Sequence, residues 1–477
     1  MTALPRLGVL ASALSVLLAV PPAFARAAEA GDATGAGVVA FVHATVVPMD
    51  TERTLRDQTV VVVRGEIVAM GPSAAVKVPA DARRVDATGR YLLPALCDMH
   101  VHLVGEAWNI MLPPGSRPAA KDLPQEQFLF PYLANGVTTV QSLSATPEEI
   151  ELRNRIARGE MLGPRLILAR MIDGPKKAWP PPISTWVATA AEARAAVREA
   201  KAAGYDKIKV YSFLDNASYD AIIETAGEVG MDVIGHVPMS LSVEYVVDAG
   251  QKLIAHSEEL AKHAGGSYSP ERIDFFARRM SDRGVWMSPT LTTTRAILET
   301  LDAPGSPFAR PEAAYFRHPL EAGVWSFIVE NLYRPIPSTA RQTLRDAFNG
   351  FQVPLTRAFH QKGGKLLAGS DTIIPGLVPG FGLHRELAEL VNAGLTPYEA
   401  LRTATTRPFE YLGEADMAGT IALGKHSDLI LVDENPLVNV AGASKVSGVL
   451  VRGRWLRADE IRARMTEILA GAFPARR

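Results

Sequence analysis

The sequence predicts an α/β protein, a (β/α)8 TIM barrel beside a small β-sandwich domain built from both termini. Three observations predict it. Eight short apolar runs alternate with longer helical patterns between Leu92 and Asp371. Many of the helical stretches end in glycine just before the next run. Polar residues of metal-ligand type fall at the ends of the runs, where a closed barrel gathers them at one mouth and an open sheet would spread them along an edge.

The runs cover residues 92–93, 137–140, 166–168, 208–210, 233–234, 253–254, 285–287 and 366–368. Each is mostly apolar, as a strand buried on both faces requires. Gly136, Gly204, Gly230, Gly250, Gly284 and Gly363-Gly364 precede six of them. A chain leaving a helix commonly needs a left-handed residue there, which costs least without a Cβ. A doubly wound open sheet has the same periodicity, so the placement of the polar residues decides between the two.

Residues 38–47, 59–70, 428–432 and 449–456 read as strands of the small domain. Within them Val61-Val62-Val63-Arg64-Gly65 and Val449-Leu450-Val451-Arg452-Gly453 share a hairpin-like pattern. The resulting division is 1–25 as a signal peptide, 26–89 as the first part of the small domain, 90–411 as the barrel, and 412–477 as the second part of the small domain and a tail. Residues 292–351, rich in proline and aromatics, are long for a barrel connection. With Leu112-Pro113-Pro114-Gly115 and Trp179-Pro180-Pro181-Pro182 they are expected to form a lid over the mouth.

Composition narrows the function. The 477 residues are 47% hydrophobic and 21% charged, which suits a large soluble core. A formal net charge of -1 supplies no cationic field for nucleic acid or acidic lipid, so recognition is expected in a pocket. Arg6, an apolar run over 7–20, Pro21-Pro22 and Ala23-Phe24-Ala25 form a secretory signal pattern with cleavage after Ala25. The run is shorter than the roughly 20 apolar residues of a spanning helix. Cys97 is the only cysteine. The expectation is a soluble periplasmic or secreted protein without disulfides or a remaining membrane anchor.

His100 and His102 lie two apart at the end of the first predicted strand, so a period-2 backbone turns both imidazoles to one face. Alone, a His-x-His pair says little. The signal strengthens because His236 follows Val233-Ile234-Gly235, His256 follows Leu253-Ile254-Ala255, and Asp371 follows Leu366-Leu367-Ala368-Gly369-Ser370. Imidazole and carboxylate suit zinc or a similar divalent ion. Asp206-Lys207-Ile208-Lys209-Val210-Tyr211 adds an inward lysine, whose buried ammonium beside cations would be strongly disfavoured. Reaction of the neutral amine with carbon dioxide would convert it to an anionic carbamate able to bridge two ions. Lys207 and Lys209 share a face, and the residues alone leave the choice between them open.

These residues resemble those of the amidohydrolase superfamily. The features that carry the likeness are Leu96-Cys97-Asp98-Met99-His100-Val101-His102, Asp206-Lys207-Ile208-Lys209, Gly235-His236, Ala255-His256-Ser257 and Ala368-Gly369-Ser370-Asp371. Leu383-His384-Arg385-Glu386-Leu387, Gly394-Leu395-Thr396-Pro397 and the stretch from Gly419-Thr420-Ile421-Ala422 to Asp428-Leu429 extend it over most of the chain. The chain most resembles the imidazolonepropionase-like and prolidase-like branch, which includes secreted peptidases. The resemblance implies two divalent ions, zinc as the expected metal, and selects Lys209 for the carbamate. It places His100, His102 and Asp371 on one ion, His236 and His256 on the other, and a hydroxide between them. Asp371 would move a proton from that hydroxide to the leaving amine. The implied substrate is a small amide or peptide of dipeptide or N-acyl amino acid type, and a homo-oligomer is the implied assembly.

Tyr211, on the inward face with Lys209, and His384, near a helix start, are weaker substrate-binding candidates. Barrel packing and a structural histidine are the competing readings. Arg385 could meet a substrate carboxylate, and Asp98 could hold an imidazole. The enzymatic alternatives are a mononuclear deaminase or a cyclic-amide hydrolase on the same barrel. Such a deaminase typically carries a glutamate three residues after the fifth-strand histidine, where this chain has Met239. The non-enzymatic alternative is an exported metal-binding protein.

Overall fold

A computed structural model describes residues 37–119, 123–175, 179–316, 318–426 and 428–471. The predicted signal segment lies outside these residues. The strands, in chain order, are β1 (Val38–Val46), β2 (Leu55–Val63), β3 (Glu66–Pro72), β4 (Arg83–Asp86), β5 (Tyr91–Pro94), β6 (Leu96–Val101), β7 (Val137–Ser142), β8 (Arg165–Asp173) and β9 (Thr185–Trp186). They continue with β10 (Lys207–Val210), β11 (Asp232–Gly235), β12 (Leu253–Ala255), β13 (Trp286–Ser288), β14 (Lys365–Leu366), β15 (Leu429–Val432), β16 (Val446–Val451) and β17 (Arg454–Arg457).

Eight parallel strands run in the order β14-β13-β12-β11-β10-β8-β7-β6, with helices between them, as buried parallel strands require. The chain beyond β14 closes the circle. Met99 N donates to Ala368 O (2.9 Å), Asp371 N to His100 O (2.7 Å) and His102 N to Thr372 O (2.5 Å). The fold is the predicted TIM barrel. Gly204 illustrates the predicted helix exits: it caps helix Ala190–Ala203 at φ 93° and releases the chain into β10.

One expected strand belongs elsewhere. Residues 92–93 lie in β5, which pairs with β1 and β15 in the small domain, and the first barrel strand is β6. An apolar run reads the same whichever sheet buries it, so periodicity could not assign it.

The small domain is a mixed sheet ordered β17-β16-β15-β5-β1-β2-β3, with β4 beside β1. In a flat sheet β1 and β17 would stand roughly 19 Å apart, four strand spacings. Instead the rings of Phe41 and Trp455 meet edge to face at 5.0 Å, so the sheet curls over its own apolar interior into a sandwich. The two Arg-Gly sequences make matching two-residue hairpins. Arg64 and Gly65 link β2 to β3, and Arg452 and Gly453 link β16 to β17, all four with positive φ.

The long insertion is helical, with Leu291–Asp302, Pro319–Phe327 and Ser338–Ala347 as its main helices. It packs with Trp108, Leu112 and Ile183 into an apolar core of its own, separate from that of the barrel. Trp108 connects this lid to the mouth, its ring 6.2 Å from that of His102.

Truncating Trp455 to alanine should open the sandwich. We expect Trp455→Ala to cost about 3–5 kcal/mol in chemical denaturation. A loss under 1 kcal/mol would show that the curled sheet does not depend on this contact.

Candidate metal centre

The barrel brings the predicted ligands together. His100 lies in β6 and His102 one residue beyond it, while His236 and His256 directly follow β11 and β12. Asp371 arrives with the closing segment. Asp371 Oδ1 lies 3.3 Å from His100 Nε2 and 3.1 Å from His102 Nε2, and Oδ2 lies 4.0 Å from His256 Nδ1. The ring centroid of His256 is 4.5 Å from that of His100 and 5.0 Å from that of His236. Among the described residues, His100, His102 and Asp371 form a group whose ligand atoms lie within 4.8 Å of one another, close enough to share an ion.

Local backbone geometry is unusual here. His256 and Asp371 have φ of 68° and 51°, a left-handed region that side chains rarely adopt. Gly235 has φ 122°, and a Cβ on it would come 2.3 Å from Val210 O and 2.8 Å from Lys209 Cγ. Only glycine lets β11 approach Lys209 so closely before the chain turns to His236.

Three hydroxyls orient the imidazoles. His102 Nδ1 is 2.6 Å from Ser144 Oγ, His236 Nδ1 is 3.0 Å from Ser212 Oγ, and His256 Nδ1 is 2.7 Å from Thr290 Oγ1. Each hydroxyl sits two residues past the end of the neighbouring strand, β7, β10 or β13. A hydroxyl at Nδ1 leaves Nε2 for a ligand. Glu259 Oε1 also approaches His236 Nδ1 at 3.3 Å and is itself bound by Lys262 Nζ at 2.7 Å. Sequence reading missed these residues; the shared offset from the strand ends was the available signal.

The donor set fits a cation. His100 is fully buried, its Nδ1 without a hydrogen-bond partner and its Nε2 facing only Asp371 Oδ1, and His236 Nε2 is likewise buried and unpartnered. Such orphaned groups typically cost about 1–3 kcal/mol each unless a ligand satisfies them. Burial lowers the pKa of all four histidines, that of His100 to about 4, so the imidazoles are neutral and free to donate. Burial alone would raise Asp371, but the neighbouring His100 and His256 outweigh it and hold the carboxyl well below its usual range.

The two lysines separate. Lys207 pairs with Asp232 at 2.6 Å and lies over the Tyr411 ring. Lys209 is fully buried, feels the charge of Asp371, and is lowered to about 8 by burial.

Other candidates are placed differently. Tyr211 packs its ring on His236 with centroids 4.1 Å apart. His384 Nε2 meets the carbonyl of Asn135 at 2.9 Å, a helix-packing contact. Arg385 is engaged by Glu299 at 3.0 Å and by the Gly376 carbonyl, so it is committed within the fold. Asp98 accepts from the backbone N of His100 (3.4 Å) rather than from an imidazole. Its Oδ2 accepts from Ser370 Oγ at 2.6 Å and its Oδ1 from Ser370 N at 2.9 Å, tying β6 to the segment that carries Asp371, and burial raises its pKa to about 7.

Fold and site together define a barrel enzyme whose mouth collects metal-ligand side chains. The chain belongs to the amidohydrolase family, whose model matches residues 91–456. Members of that family are metal-dependent hydrolases. Solved structures of similar fold include a protein from Bifidobacterium longum provisionally named a prolidase, 24% identical over 91% of this chain and 99% of that one, TM-score 0.67. Bottromycin amidohydrolase is 21% identical over 96% and 95% of the two chains, TM-score 0.70. A Xaa-Pro dipeptidase with bound methionine is 20% identical over 88% and 100%, TM-score 0.66. A 61-residue stretch is 33% identical to adenine deaminase of Ruegeria pomeroyi, a match spanning 13% of this chain and 10% of that one.

Two outcomes are expected. Ser144→Ala, Ser212→Ala and Thr290→Val should each weaken divalent-metal binding about 10- to 100-fold in chelator competition; unchanged affinity in all three would remove the orienting role. The second concerns acid. His384 has its folded pKa lowered by burial from 6.5 to about 4. Between those values the unfolded chain takes up a proton that the folded chain refuses, so stability is complete above pH 6.5 and falls on acidification. The loss approaches on the order of 3 kcal/mol. Denaturation at pH 7.5 and 4.5 should show a shallower loss for His384→Gln than for the parent.

Proposed function

We propose that the protein is an exported, binuclear metal-dependent hydrolase that cleaves an amide or peptide bond in a dipeptide or N-acyl amino acid. The observation that carries this reading is the gathering of four buried or half-buried histidines about Asp371 and Lys209 within an amidohydrolase barrel. His100, His102 and Asp371 would hold one divalent ion, and His236 and His256 the other, with zinc as the expected metal. Lys209, as its carbamate, would bridge them. When bound, such ions lower the pKa of water and polarise the scissile carbonyl.

The protein's own residues supply the rest. Asp371 turns Oδ1 to the His100 and His102 pair, while Oδ2 stands 4.0 Å from His256. Oδ2 is the less engaged of the two oxygens and would accept the proton of the attacking hydroxide and return it to the leaving amine. The hydroxyls of Ser144, Ser212 and Thr290 hold the imidazoles still while this happens. The insertion reaches the mouth through Trp108, 6.2 Å from His102, and would limit the entry of bulk water there.

Export rests on the N-terminal segment pattern alone. Among the described residues no helix is long and apolar enough to cross a membrane. The short match to adenine deaminase favours a second reading, deamination on the same barrel. Met239 argues against it: it stands where such enzymes typically carry an acid, it is 57% exposed, and it lies on the loop after β11.

The test is metal analysis of the purified protein with a hydrolysis screen of dipeptides and N-acyl amino acids, beside a chelated control. We expect two zinc equivalents and hydrolysis that chelation abolishes. Lys209→Ala should lose at least one equivalent, and Asp371→Asn should lower kcat at least 100-fold while the protein stays folded. Hydrolysis equal to the parent in both variants would refute the mechanism, and ammonia release from adenine with one metal per chain would favour the deaminase.

A further inference from the structure

An arc of aromatic side chains joins the two halves of the histidine cluster. The Trp108 ring lies 6.2 Å from His102, and the Trp179 ring lies 5.8 Å from Trp108. The Trp179 side chain is within hydrogen-bonding reach of the Tyr211 hydroxyl, and Tyr211 covers His236 at 4.1 Å. The arc thus begins on a ligand of one proposed ion and ends on a ligand of the other. Three distant segments build it: the turn Glu106–Met111, the connection after β8, and the residue following β10.

Its members differ in exposure in a telling way. Trp108 is buried in the lid core, as are Phe316 and Trp325, which stack on each other. Trp179 and Tyr211 keep part of their surface open although they stand beside the cluster. Partly open aromatic surface next to reacting groups is what a bound molecule covers, because burying it on binding is favourable. Among the described residues, the three that form the arc carry no carboxylate, ammonium or guanidinium. Lys209 Nζ, 5.2 Å from the Tyr211 ring, belongs to the metal cluster itself. Lys262 is taken by Glu258 and Glu259, and Arg385 by Glu299.

Building on the hydrolase reading, we propose that Trp108, Trp179 and Tyr211 form the wall that receives an aromatic or large apolar substituent on one side of the scissile amide. The substrate class is then amides of aromatic or bulky apolar amino acids, in preference to small or acidic ones. Trp179 determines the preference most directly, since the residue keeps part of its surface open while its backbone carbonyl is held separately by Trp186 Nε1 (3.1 Å) and the Ser184 hydroxyl.

The test compares kcat/KM of the zinc-loaded protein for N-acetyl-L-phenylalanine, N-acetyl-L-alanine and N-acetyl-L-aspartate. The aromatic compound should lead by at least tenfold, and Trp179→Leu should shrink that lead at least fivefold through KM. Tyr211→Leu serves as a second variant should the first fold poorly. Equal or reversed preference in the parent, or a full preference retained in both variants, would overturn the proposal. Tryptophan fluorescence titration with 3-phenylpropionamide and propionamide reads the wall without turnover, and the aromatic amide should bind at least tenfold tighter. Aromatic binding with no hydrolysis of any amide would defeat the hydrolase reading and keep the wall. Hydrolysis with no aromatic preference in either measurement would do the reverse.

Discussion

Three backbone bonds between β6 and the chain beyond β14 carry the rest of the site. Asp371 N to His100 O and His102 N to Thr372 O place an aspartate from the last barrel segment beside two histidines of the first, some 270 residues earlier in the chain, as the numbering shows. Without that closure the eight strands would form an open sheet and the ligands would spread along its edge. Gly369 belongs to the same constraint, since a Cβ there would come 2.4 Å from His100 Cβ. Asp98 reinforces it from the other side by binding the backbone and hydroxyl of Ser370.

Burial at the closed mouth then determines the electrostatics. The histidines are neutral because a charged imidazole would lose its hydration there. Asp371 stays ionised because imidazoles surround it. A cluster of neutral nitrogens, one carboxylate and one lysine is incomplete as a hydrogen-bonded network, as the orphaned nitrogens of His100 and His236 show. A divalent cation would satisfy those nitrogens together with Asp371. Aromatic rings border this polar cluster, Trp108 at 6.2 Å from His102 and Trp179 at 5.8 Å from Trp108.

The candidate ligands were legible because strand ends are readable. Each of His236, His256 and Asp371 follows an apolar run, and His100 and His102 share a period-2 face. The hairpins of the small domain were legible for a similar reason, as Arg-Gly after a valine-rich strand is a local turn signal. Residues 92–93 were misassigned because both sheets bury such a run on both faces. Ser144, Ser212 and Thr290 went unnoticed because hydroxyl residues after strands are common as helix caps, and only the structure shows whose imidazole each one meets.

By itself, then, the sequence determined the strand and helix order, the barrel class, and the residue types available at the strand ends, all of which depend on local periodicity and turn chemistry. Tertiary structure alone decided which of two same-face lysines lies with the candidate ligands, since Lys207 finds Asp232 and, among the described residues, Lys209 finds no such ion pair. It also decided that Arg385 and His384 are held within the fold and that Trp108, Trp179 and Tyr211 meet in one arc. Those contacts join segments distant in sequence, and no local pattern encodes the position of a partner that only barrel closure brings near.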